Sequence, residues 1–393
     1  MFSRASSRWL RPDQGGRSLI DTLRDGFREL RNRLLSSSRF QRGAAAFWPT
    51  RPIARRRAAQ LFDLCAGFVY SQVLLACVRL GLLELLAERP QSSSEVAARL
   101  NITVPAAERL LAAAVALRLA EPRSGDRYGL GNQGAVLTSM PGVAAMIEHH
   151  ALLYRDMEDP VALLRKDRGD SLGSYWPYAG APDPAQLTTE QVAPYSRLMS
   201  LSQELVSAEV LEVFSLRRFR RLMDVGGGDG TFIRNVAARW PHLQGIVADL
   251  PAVAEQATQR IREAGLQDRL SAVGVDFFRD SLPPGSDLIS LIRIVHDHDD
   301  ADVHALLGAV FRALDPGGTI LIAEPMSATR GAEAMGDAYF GFYLLAMGKG
   351  RPRTPQEITK MLRHTGFRDI KCHRGRNPLQ ARIISGHKPS IKC

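Results

Sequence analysis

The stretch LMDVGGGDGT, residues 222–231, decides the fold of this chain because it runs from an apolar strand through a glycine-rich turn into a helix. Glycines at 226, 228 and 230 permit positive φ and let the backbone approach a ligand closely. The unpaired amides of the following helix favour a negatively charged or carboxylate-bearing group. This order predicts a binding site, and a tight connection that binds nothing is the alternative.

A second strand, GIVAD at residues 245–249, ends in an acid 23 positions after Gly226. In a doubly wound sheet this is the position from which an acid binds a ribose, so the predicted ligand is a nucleoside. The dinucleotide pattern G-x-G-x-x-G would need glycine at 231, where the chain has Thr231. The sequence DVGGGDG instead resembles the S-adenosylmethionine loop of class I methyltransferases, which favours a methyl donor over NAD.

Strands and helices continue to alternate after Asp249, which predicts a parallel α/β sheet. The predicted elements are helix Ala252–Ala264, strand Leu270–Val275, strand Asp287–Val295, helix Ala301–Leu314, strand Thr319–Ala323 and a closing hairpin of Asp369–His373 and Gln380–Ser385. After the third strand, Asp276 is predicted to reach an adenine amino group and Phe277 to cover the adenine ring. The alternative is that both residues only terminate the strand.

The length of 393 residues predicts two folded domains, and a hydrophobic content of 45% suffices for a full core. The four cysteines form no C-x-x-C pair, which favours a reducing cytoplasm over a disulfide framework or a zinc site.

Before the glycine loop, the pattern from Gly142 to Phe214 is helical apart from Gly169–Pro184, which is predicted to be a surface loop. One helical face is predicted to close the mouth of the pocket or to belong to the core: Tyr195, Leu198, Met199, Ser202, Leu205 and Val206.

Residues 60–140 have a winged-helix pattern. The sequence SSSE at 92–95 is a capping box, Pro105 begins a helix through Leu119, and a polar hairpin surrounds Gly125. The segment PAAERLLAAA of this helix, residues 105–114, offers one arginine and a face of alanines, which favours packing over nucleic-acid binding. The uncharged run Leu64–Val78 is shorter than the about 20 residues that a bilayer requires, so Phe62–Leu86 is predicted to form helices buried in a core or a subunit interface. A homodimer built on residues 60–140 is therefore expected.

The net charge of +10 lies in residues 1–57, where fourteen arginines face four acids. Leucines and phenylalanine fall there at helical spacing between arginines: Leu19, Leu23, Phe27, Leu30 and Leu34, with Arg17, Arg24, Arg28, Arg31 and Arg33. This pattern predicts a basic amphipathic helix that lies on an anionic membrane. A solvated tail, a helix docked on the chain itself and nucleic-acid binding are the alternatives.

The sequence VHDHDD at 295–300 follows a strand that ends on the same rim as the glycine loop. His296 is predicted to be a general base, Asp297 to fix its tautomer, and Glu324 to hold the ring from the next strand. A metal bound by the two histidines and the acids is one alternative, and a capping role for Asp299 or Asp300 is another. The absence of a thiol or a third histidine at ligand spacing argues against zinc.

The combination of DVGGGDG, ADLP, HDHDD, IAEP and RTPQE resembles the S-adenosylmethionine-dependent O-methyltransferases of the plant caffeic acid and acetylserotonin type over residues 60–388. The resemblance implies a class I methyltransferase domain at 216–393, helices of the substrate pocket at 141–215, a winged-helix-like dimerisation domain at 58–140 and a basic arm at 1–57. It also implies that His296 is the catalytic base, with Asp297 and Glu324. The predicted cofactor-binding residues are Asp224, Gly226, Gly227, Gly228, Gly230, Asp249, Asp276, Phe277 and Arg293.

Within this family, the segments around 51–82 and 293–300 resemble the bacterial demethylspheroidene-type enzymes, which methylate the tertiary 1-hydroxyl of acyclic carotenoids. A cytoplasmic enzyme with peripheral contact to the inner or photosynthetic membrane is expected. One departure is that the family's E-R-T motif reads Pro352-Arg353-Thr354, which removes the second acid of a two-acid clamp on the histidine. A methyltransferase of phenolic or polyketide substrates and a ligand-sensing winged-helix regulator are the alternatives.

Overall fold

The computed structural model describes residues 19–165, 171–176, 184–375 and 381–390. Arg17 of the predicted basic helix, residues 177–183 of the predicted loop and the predicted start of the last strand at Gln380 lie outside these ranges. The chain divides into two compact units, Met1–Val73 and Leu74–Cys393.

The first unit contains helices α1 (Leu19–Ser36) and α2 (Ser38–Ala46) and most of α3 (Arg51–Arg79). The predicted amphipathic helix is therefore present as α1. Its apolar side chains are exposed, with Leu23 and Phe27 both at 69%. Two of its arginines pair with acids one turn earlier, Arg24 with Asp21 and Arg28 with Asp25.

Helix α3 differs from the sequence-based expectation. It is the one helix in the described part of the chain that is long and apolar enough to cross a membrane, judged by length and composition only. In the structure, 11% of its most apolar 18-residue window is buried. The prediction that this segment is too short to span was wrong, because a helix of 29 residues tolerates charges at its ends. Burial is also confined to the later part of Phe62–Leu86, since Leu61, Phe62, Leu64, Phe68 and Val69 are exposed.

The second unit begins with the winged-helix pattern that the sequence predicts. Its elements are α4 (Leu82–Glu88), β1 (Gln91–Ser92), α5 (Ser93–Leu100), α6 (Val104–Ala116), β2 (Ala120–Arg123), β3 (Arg127–Leu130) and α7 (Asn132–Thr138). The three short strands form an antiparallel sheet in the order β1-β3-β2. The capping box is confirmed, because the Glu95 amide donates to Ser92 Oγ and the Glu95 carboxylate accepts from the Ser92 amide.

Four helices lead to the large sheet: α8 (Pro141–Asp156), α9 (Pro160–Arg165), α10 (Ser171–Tyr175) and α11 (Thr189–Val213). The prediction of a surface loop over Gly169–Pro184 was wrong for its described central part. Both oxygens of the Asp156 carboxylate accept backbone amides there, from Ser171 at 2.9 Å and Leu172 at 2.8 Å. This anchor holds Leu172 and Trp176 in the interior.

The large sheet has seven strands in the order β6-β5-β4-β7-β8-β10-β9, and only β10 runs antiparallel to its neighbours. The strands are β4 (Arg221–Val225), β5 (Gln244–Asp249), β6 (Leu270–Gly274), β7 (Ser286–Ile292), β8 (Leu314–Glu324), β9 (Arg368–His373) and β10 (Arg382–His387). Helices α12 (Thr231–Arg239), α13 (Pro251–Glu263), α14 (Asp300–Ala313), α15 (Phe340–Met347) and α16 (Pro355–Thr365) accompany them. The predicted doubly wound α/β fold is confirmed.

Alternate residues of β4 pack on opposite faces of this sheet. Met223 and Val225 join a core cluster with residues of α14 and α16, whereas Leu222 joins one with residues of α12 and α13.

One strand boundary matters for function: β7 ends at Ile292, three residues before the predicted end at Val295. Arg293 adopts a left-handed conformation with φ 61°, and a short 3-10 turn occupies Val295–Asp297. His296 is therefore carried by this turn rather than by the strand.

The exposed apolar face of α3 predicts a homodimer in which a second copy covers it. Replacing Phe62 and Phe68 together by Glu should convert the dimer into a monomer in sedimentation velocity at micromolar concentration. Arg55→Gln, an exposed change on the same helix, serves as the control and should leave the dimer intact. A wild-type monomer would contradict the prediction.

Candidate active site

A cavity of about 220 Å³ lies at the carboxyl ends of β4, β5, β6 and β7. Parallel strands bring their carboxyl ends to one edge, so residues that are distant in sequence meet there. The cavity is lined by nine of the twelve predicted site residues: Asp224, Gly226, Gly227, Gly228, Asp249, Asp276, Phe277, Arg293 and Asp297. Gly230, His296 and Glu324 do not line it.

The glycine loop approaches the cavity with its bare backbone. Gly226 and Gly228 have φ of +68° and +61°, which only glycine adopts readily. A Cβ on Gly226 would lie 2.4 Å from Ile294 Cδ1, and one on Gly227 would lie 2.6 Å from an Asp224 oxygen, whereas one on Gly228 meets nothing within 4 Å. Gly228 therefore borders the open space that a ligand can use.

Gly230 has a different role from the one predicted. It begins α12 with φ +80°, and a Cβ there would point at Val247 and Ile233 of the core. Its contribution is to turn the chain from the loop into the helix.

Two carboxylates line the cavity beside the loop, Asp224 fully buried and Asp249 half-buried. Asp249 accepts the amides of Gly228 and Leu250, each at 2.8 Å, and burial raises its pKa to about 6. Asp224 accepts Ser290 Oγ at 2.6 Å, and burial raises its pKa to about 7. The second oxygen of Asp224 is buried and has no donor within the described chain. This arrangement fits a ligand that carries a positive charge and hydroxyl or ammonium donors, as S-adenosylmethionine does.

An aromatic cluster forms another wall. The His298 ring contacts Phe277 and Phe278 edge to face, at centroid distances of 5.8 and 5.0 Å, and lies 6.5 Å from Trp176. Phe277 and Asp276 both line the cavity, and Asp276 also accepts the Phe278 amide at 3.0 Å, so their contact with an adenine ring stays a prediction. Sequence reasoning missed His298, Phe278, Trp176 and Lys349, although the first two lie next to residues that it selected.

The predicted catalytic residues lie together, with Asp297 on the wall of the cavity and His296 and Glu324 behind it. The His296 amide donates to Glu324 Oε2 at 3.0 Å, and Nδ1 of the same residue lies 3.2 Å from that oxygen. On the other side of the ring, Nε2 lies 3.2 Å from Asp297 Oδ1. Two acids therefore hold the imidazole. The acid that the E-R-T motif lacks at Pro352 has a counterpart in Asp297.

The charges in this cluster determine its protonation. Burial disfavours a charged imidazole, but the carboxylates of Asp297 and Glu324 outweigh burial and raise the pKa of His296. Burial raises the pKa of Asp297 against the opposing effect of His296 and Arg293. His296 is only 4% exposed, so Asp297 separates the imidazole from the cavity.

Arg293 supplies the cation of the rim. Its guanidinium donates to Ser202 Oγ at 2.6 Å and to Met199 Sδ at 3.3 Å, both on α11. Tyr195 and Met199 line the cavity, whereas Leu198 and Val206 are buried in the core, so the predicted face of α11 serves both purposes. Asp299 precedes α14 at the N-cap position, but its side chain accepts the Gly350 amide rather than an amide of the helix, and Asp300 pairs with Arg351 and Arg353.

The fold and the site together define a class I methyltransferase. Residues 154–368 match the family model described as an O-methyltransferase domain, and residues 62–139 match the O-methyltransferase dimerisation domain. The chain therefore belongs to the O-methyltransferase family and is an enzyme of that class. The match to the dimerisation domain supports the predicted homodimer.

Individual relatives agree with this assignment. The chain is 42% identical to demethylspheroidene O-methyltransferase of Cereibacter sphaeroides over 93% of this chain and 96% of that protein. It is 38% identical to the enzyme of the same name from Rhodobacter capsulatus over 86% and 84%. The solved structure of human N-acetylserotonin methyltransferase in complex with S-adenosylmethionine superposes with a TM-score of 0.70, at 26% identity over 85% of this chain and 98% of that one. The prediction of S-adenosylmethionine rather than NAD is confirmed at the level of the family.

The open space beside Gly228 gives a test of the binding site. Gly228→Val places a branched side chain at φ +61° on the edge of the cavity, so affinity for S-adenosylhomocysteine in calorimetry should fall by at least about tenfold. Gly265→Val, at φ +66° with nothing within 4 Å and outside the cavity, has the same backbone strain and should retain the affinity. Equal affinities in the two variants would show that Gly228 is not at the binding site.

Proposed function

We propose that this enzyme methylates the tertiary 1-hydroxyl of an acyclic carotenoid, as in the conversion of demethylspheroidene to spheroidene, with S-adenosylmethionine as the methyl donor. The observation that carries the proposal is the similarity to two demethylspheroidene O-methyltransferases over most of both lengths. The Asp224 and Asp249 carboxylates and the backbone at Gly228 would hold the cofactor, and Phe277 would cover its adenine. When bound, S-adenosylmethionine supplies an electrophilic methyl group.

The protein's own task is then to orient the hydroxyl and remove its proton. Asp297 borders the cavity and contacts Nε2 of His296, so the hydroxyl proton would pass by way of the Asp297 carboxylate to Nε2 of the neutral imidazole. Glu324 holds the opposite nitrogen and stabilises the imidazolium that forms. Because a tertiary alcohol is far less acidic than a phenol, proton removal accompanies methyl transfer rather than preceding it.

Neutral aromatic and imidazole groups surround the His296 ring. Phe340 contacts the His296 ring edge to face at 5.8 Å. Next to it, Tyr339 Oη lies 2.6 Å from His150 Nε2, and Tyr343 Oη lies 2.9 Å from His149 Nε2. Burial lowers the pKa of His149 to about 4 and also lowers that of His150, and it raises the pKa of Tyr339 to about 12 and also raises that of Tyr343, so both pairs are uncharged at neutral pH. These four residues do not line the described cavity, so they describe the surroundings of His296 and leave the choice of substrate to the similarity of the sequences.

A phenolic substrate is the second candidate. It is favoured by 32% identity to 3-hydroxy-5-methyl-1-naphthoate 3-O-methyltransferase of Streptomyces sahachiroi, over 84% of this chain and 94% of that protein. Assays with labelled S-adenosylmethionine and separate carotenol and catechol substrates distinguish the two. Turnover of the catechol alone would exclude the carotenoid proposal.

The base can be tested by substitution. His296→Ala should lower turnover by about 10²–10⁴-fold, which is the usual contribution of a positioned proton acceptor, and should leave S-adenosylhomocysteine affinity nearly unchanged. His304→Ala, an exposed histidine on α14, is the control and should behave like wild type. Wild-type turnover of His296→Ala would rule this base out.

The carboxylate in front of the base gives a pH test. Asp297 raises the pKa of His296, so Asp297→Asn should lower that pKa and move the acidic limb of kcat/KM to lower pH. The limb reflects the loss of the neutral, proton-accepting imidazole as the pH falls. Turnover at the plateau should also fall. An acidic limb that stays in place would contradict the assigned contact.

We also propose that the amino-terminal arm binds an anionic membrane peripherally. The exposed leucines and Phe27 of α1 form an apolar face between arginines, and the first unit also exposes Phe47 at 58% and Trp48 at 79%. Trp and Phe suit the boundary between headgroups and acyl chains, and each arginine near an anionic surface contributes about 1 kcal/mol. An enzyme placed in this way in the cytoplasm would reach a substrate dissolved in the bilayer.

Flotation with vesicles tests the arm. Removal of residues 1–57 should abolish salt-sensitive binding to vesicles that contain anionic lipid and should reduce turnover of liposome-embedded carotenol, but not of detergent-solubilised carotenol. Leu23→Ser with Phe27→Ser should weaken binding, whereas Asp25→Asn, which removes an acid from the same helix, should strengthen it. Equal binding by the full-length and truncated proteins would exclude the arm as an anchor.

A further inference from the structure

We infer that Arg353 is a positioning residue for methyl transfer: its buried guanidinium holds the backbone turn that carries His296 and Asp297. The inference rests on the proposed role of His296 as the base. It concerns a residue whose sequence context, Pro352-Arg353-Thr354, otherwise shows only the absence of an acid.

The Arg353 guanidinium donates to three residues of one short segment, through two backbone carbonyls and one carboxylate. Nη1 donates to the Val295 carbonyl at 2.7 Å, and Nη2 donates to the His298 carbonyl at 2.7 Å. Nε and Nη2 also donate to Asp300 Oδ1, at 3.0 and 2.7 Å. The two carbonyls flank His296 and Asp297 in the chain, so one rigid group fixes both ends of the catalytic turn.

Burial makes these contacts specific. Arg353 has no exposed surface, and it is the largest fully buried side chain among the described residues. A charged group removed from water is stable only when its donors are satisfied, so the carbonyls and Asp300 are required partners. The planar, five-donor guanidinium can span two carbonyls and a carboxylate, whereas an ammonium group cannot do so in a fixed geometry.

The turn Val295–Asp297 needs support from another segment because it lies beyond the regular hydrogen bonds between β7 and its neighbouring strands. It follows Ile292, where β7 ends, and Arg293, whose φ is positive. Its own 3-10 hydrogen bonds are long, at 3.2 Å from Asp297 to Ile294 and 3.5 Å from His298 to Val295. The segment that supplies Arg353 is itself fixed nearby, since the Arg353 carbonyl accepts the Ser327 amide at 3.0 Å. Arg353 therefore connects the catalytic turn to the segment that follows β8.

Arg351 is a matched comparison within the same segment. Its guanidinium pairs with the same Asp300 carboxylate and with Glu357, at 3.1 and 2.9 Å. It is 41% exposed and its side chain does not reach the carbonyls of the turn. Loss of the Arg351 side chain thus removes an ion pair to Asp300 without releasing the turn.

Arg353→Lys should lower kcat by about 10–10²-fold, because a displacement of about 1 Å at a catalytic group can have an effect of that size. KM for S-adenosylmethionine and calorimetric affinity for S-adenosylhomocysteine should stay near the wild-type values. The fraction of protein that binds S-adenosylhomocysteine corrects kcat for unfolded enzyme. Arg351→Met should keep wild-type kcat. Equal kcat in Arg353→Lys and Arg351→Met would overturn the inference.

A double-mutant cycle separates positioning from general destabilisation. In the His296→Ala background, Arg353→Lys should cause no further loss of kcat, since there is no base left to position. Additive losses would overturn the inference while leaving the base intact. A His296→Ala enzyme with wild-type kcat would instead refute the proposed base.

If Arg353→Lys fails to bind S-adenosylhomocysteine, Asp300→Asn tests the same clamp from a half-exposed position. This change removes the carboxylate that orients the guanidinium. A severalfold loss of kcat, larger than that of Arg351→Met, supports the inference, and wild-type kcat opposes it.

Discussion

An imidazole enclosed by two carboxylates is the constraint on which the rest of this active site depends. The ring of His296 is nearly inaccessible to water, and each nitrogen faces an acid. Such a cluster tolerates little displacement, because each buried charge is stable only at its partners' distance. The parallel order of β4, β7 and β8 brings the cofactor loop, the catalytic turn and Glu324 to one rim, and the segment after β8 then holds the turn from outside.

The two units of the chain differ in which side chains they expose. The second unit contains every residue assigned to chemistry, whereas the first unit exposes its apolar and cationic side chains. If the substrate is a polyene, its chain is soluble in lipid and only its hydroxyl end needs to enter the site. In the proposed function, the arm would then serve delivery of the substrate and the α3 surface would serve assembly of the dimer.

The sequence was sufficient for those parts of the structure that local rules determine. The glycines of the turn, the acid at Asp249 and the capping boxes follow local rules of backbone chemistry, so the doubly wound sheet and the strand-turn-helix form of the glycine loop were predicted correctly. The sequence did not show that β7 ends early, because the positive φ at Arg293 is imposed by tertiary contacts. Trp176 was missed because Asp156 anchors its segment from fifteen residues away, and no local pattern indicates such an anchor.

The acids around His296 illustrate the same limit, since Asp297 and Glu324 were predicted beside the ring but the nitrogen that each contacts was not. A sequence motif describes single positions along the chain, and at Pro352 the acid of the E-R-T motif is missing. In the folded chain, Asp297 turns its carboxylate back toward Nε2 of the preceding residue, His296. The role of Arg353 is equally invisible in a linear motif, since its partners lie more than fifty residues earlier in the chain.

Asp224 and Asp249 carry a thermodynamic consequence for ligand binding. Their pKa values of about 7 and about 6 leave both carboxyl groups partly protonated in mildly acidic solution. A cationic ligand stabilises the ionised forms, so its binding must expel protons into the solvent. The heat of binding then includes the heat with which the buffer takes up those protons. Titrations in buffers of different ionisation enthalpy would thus count the protons that the cavity releases when it fills.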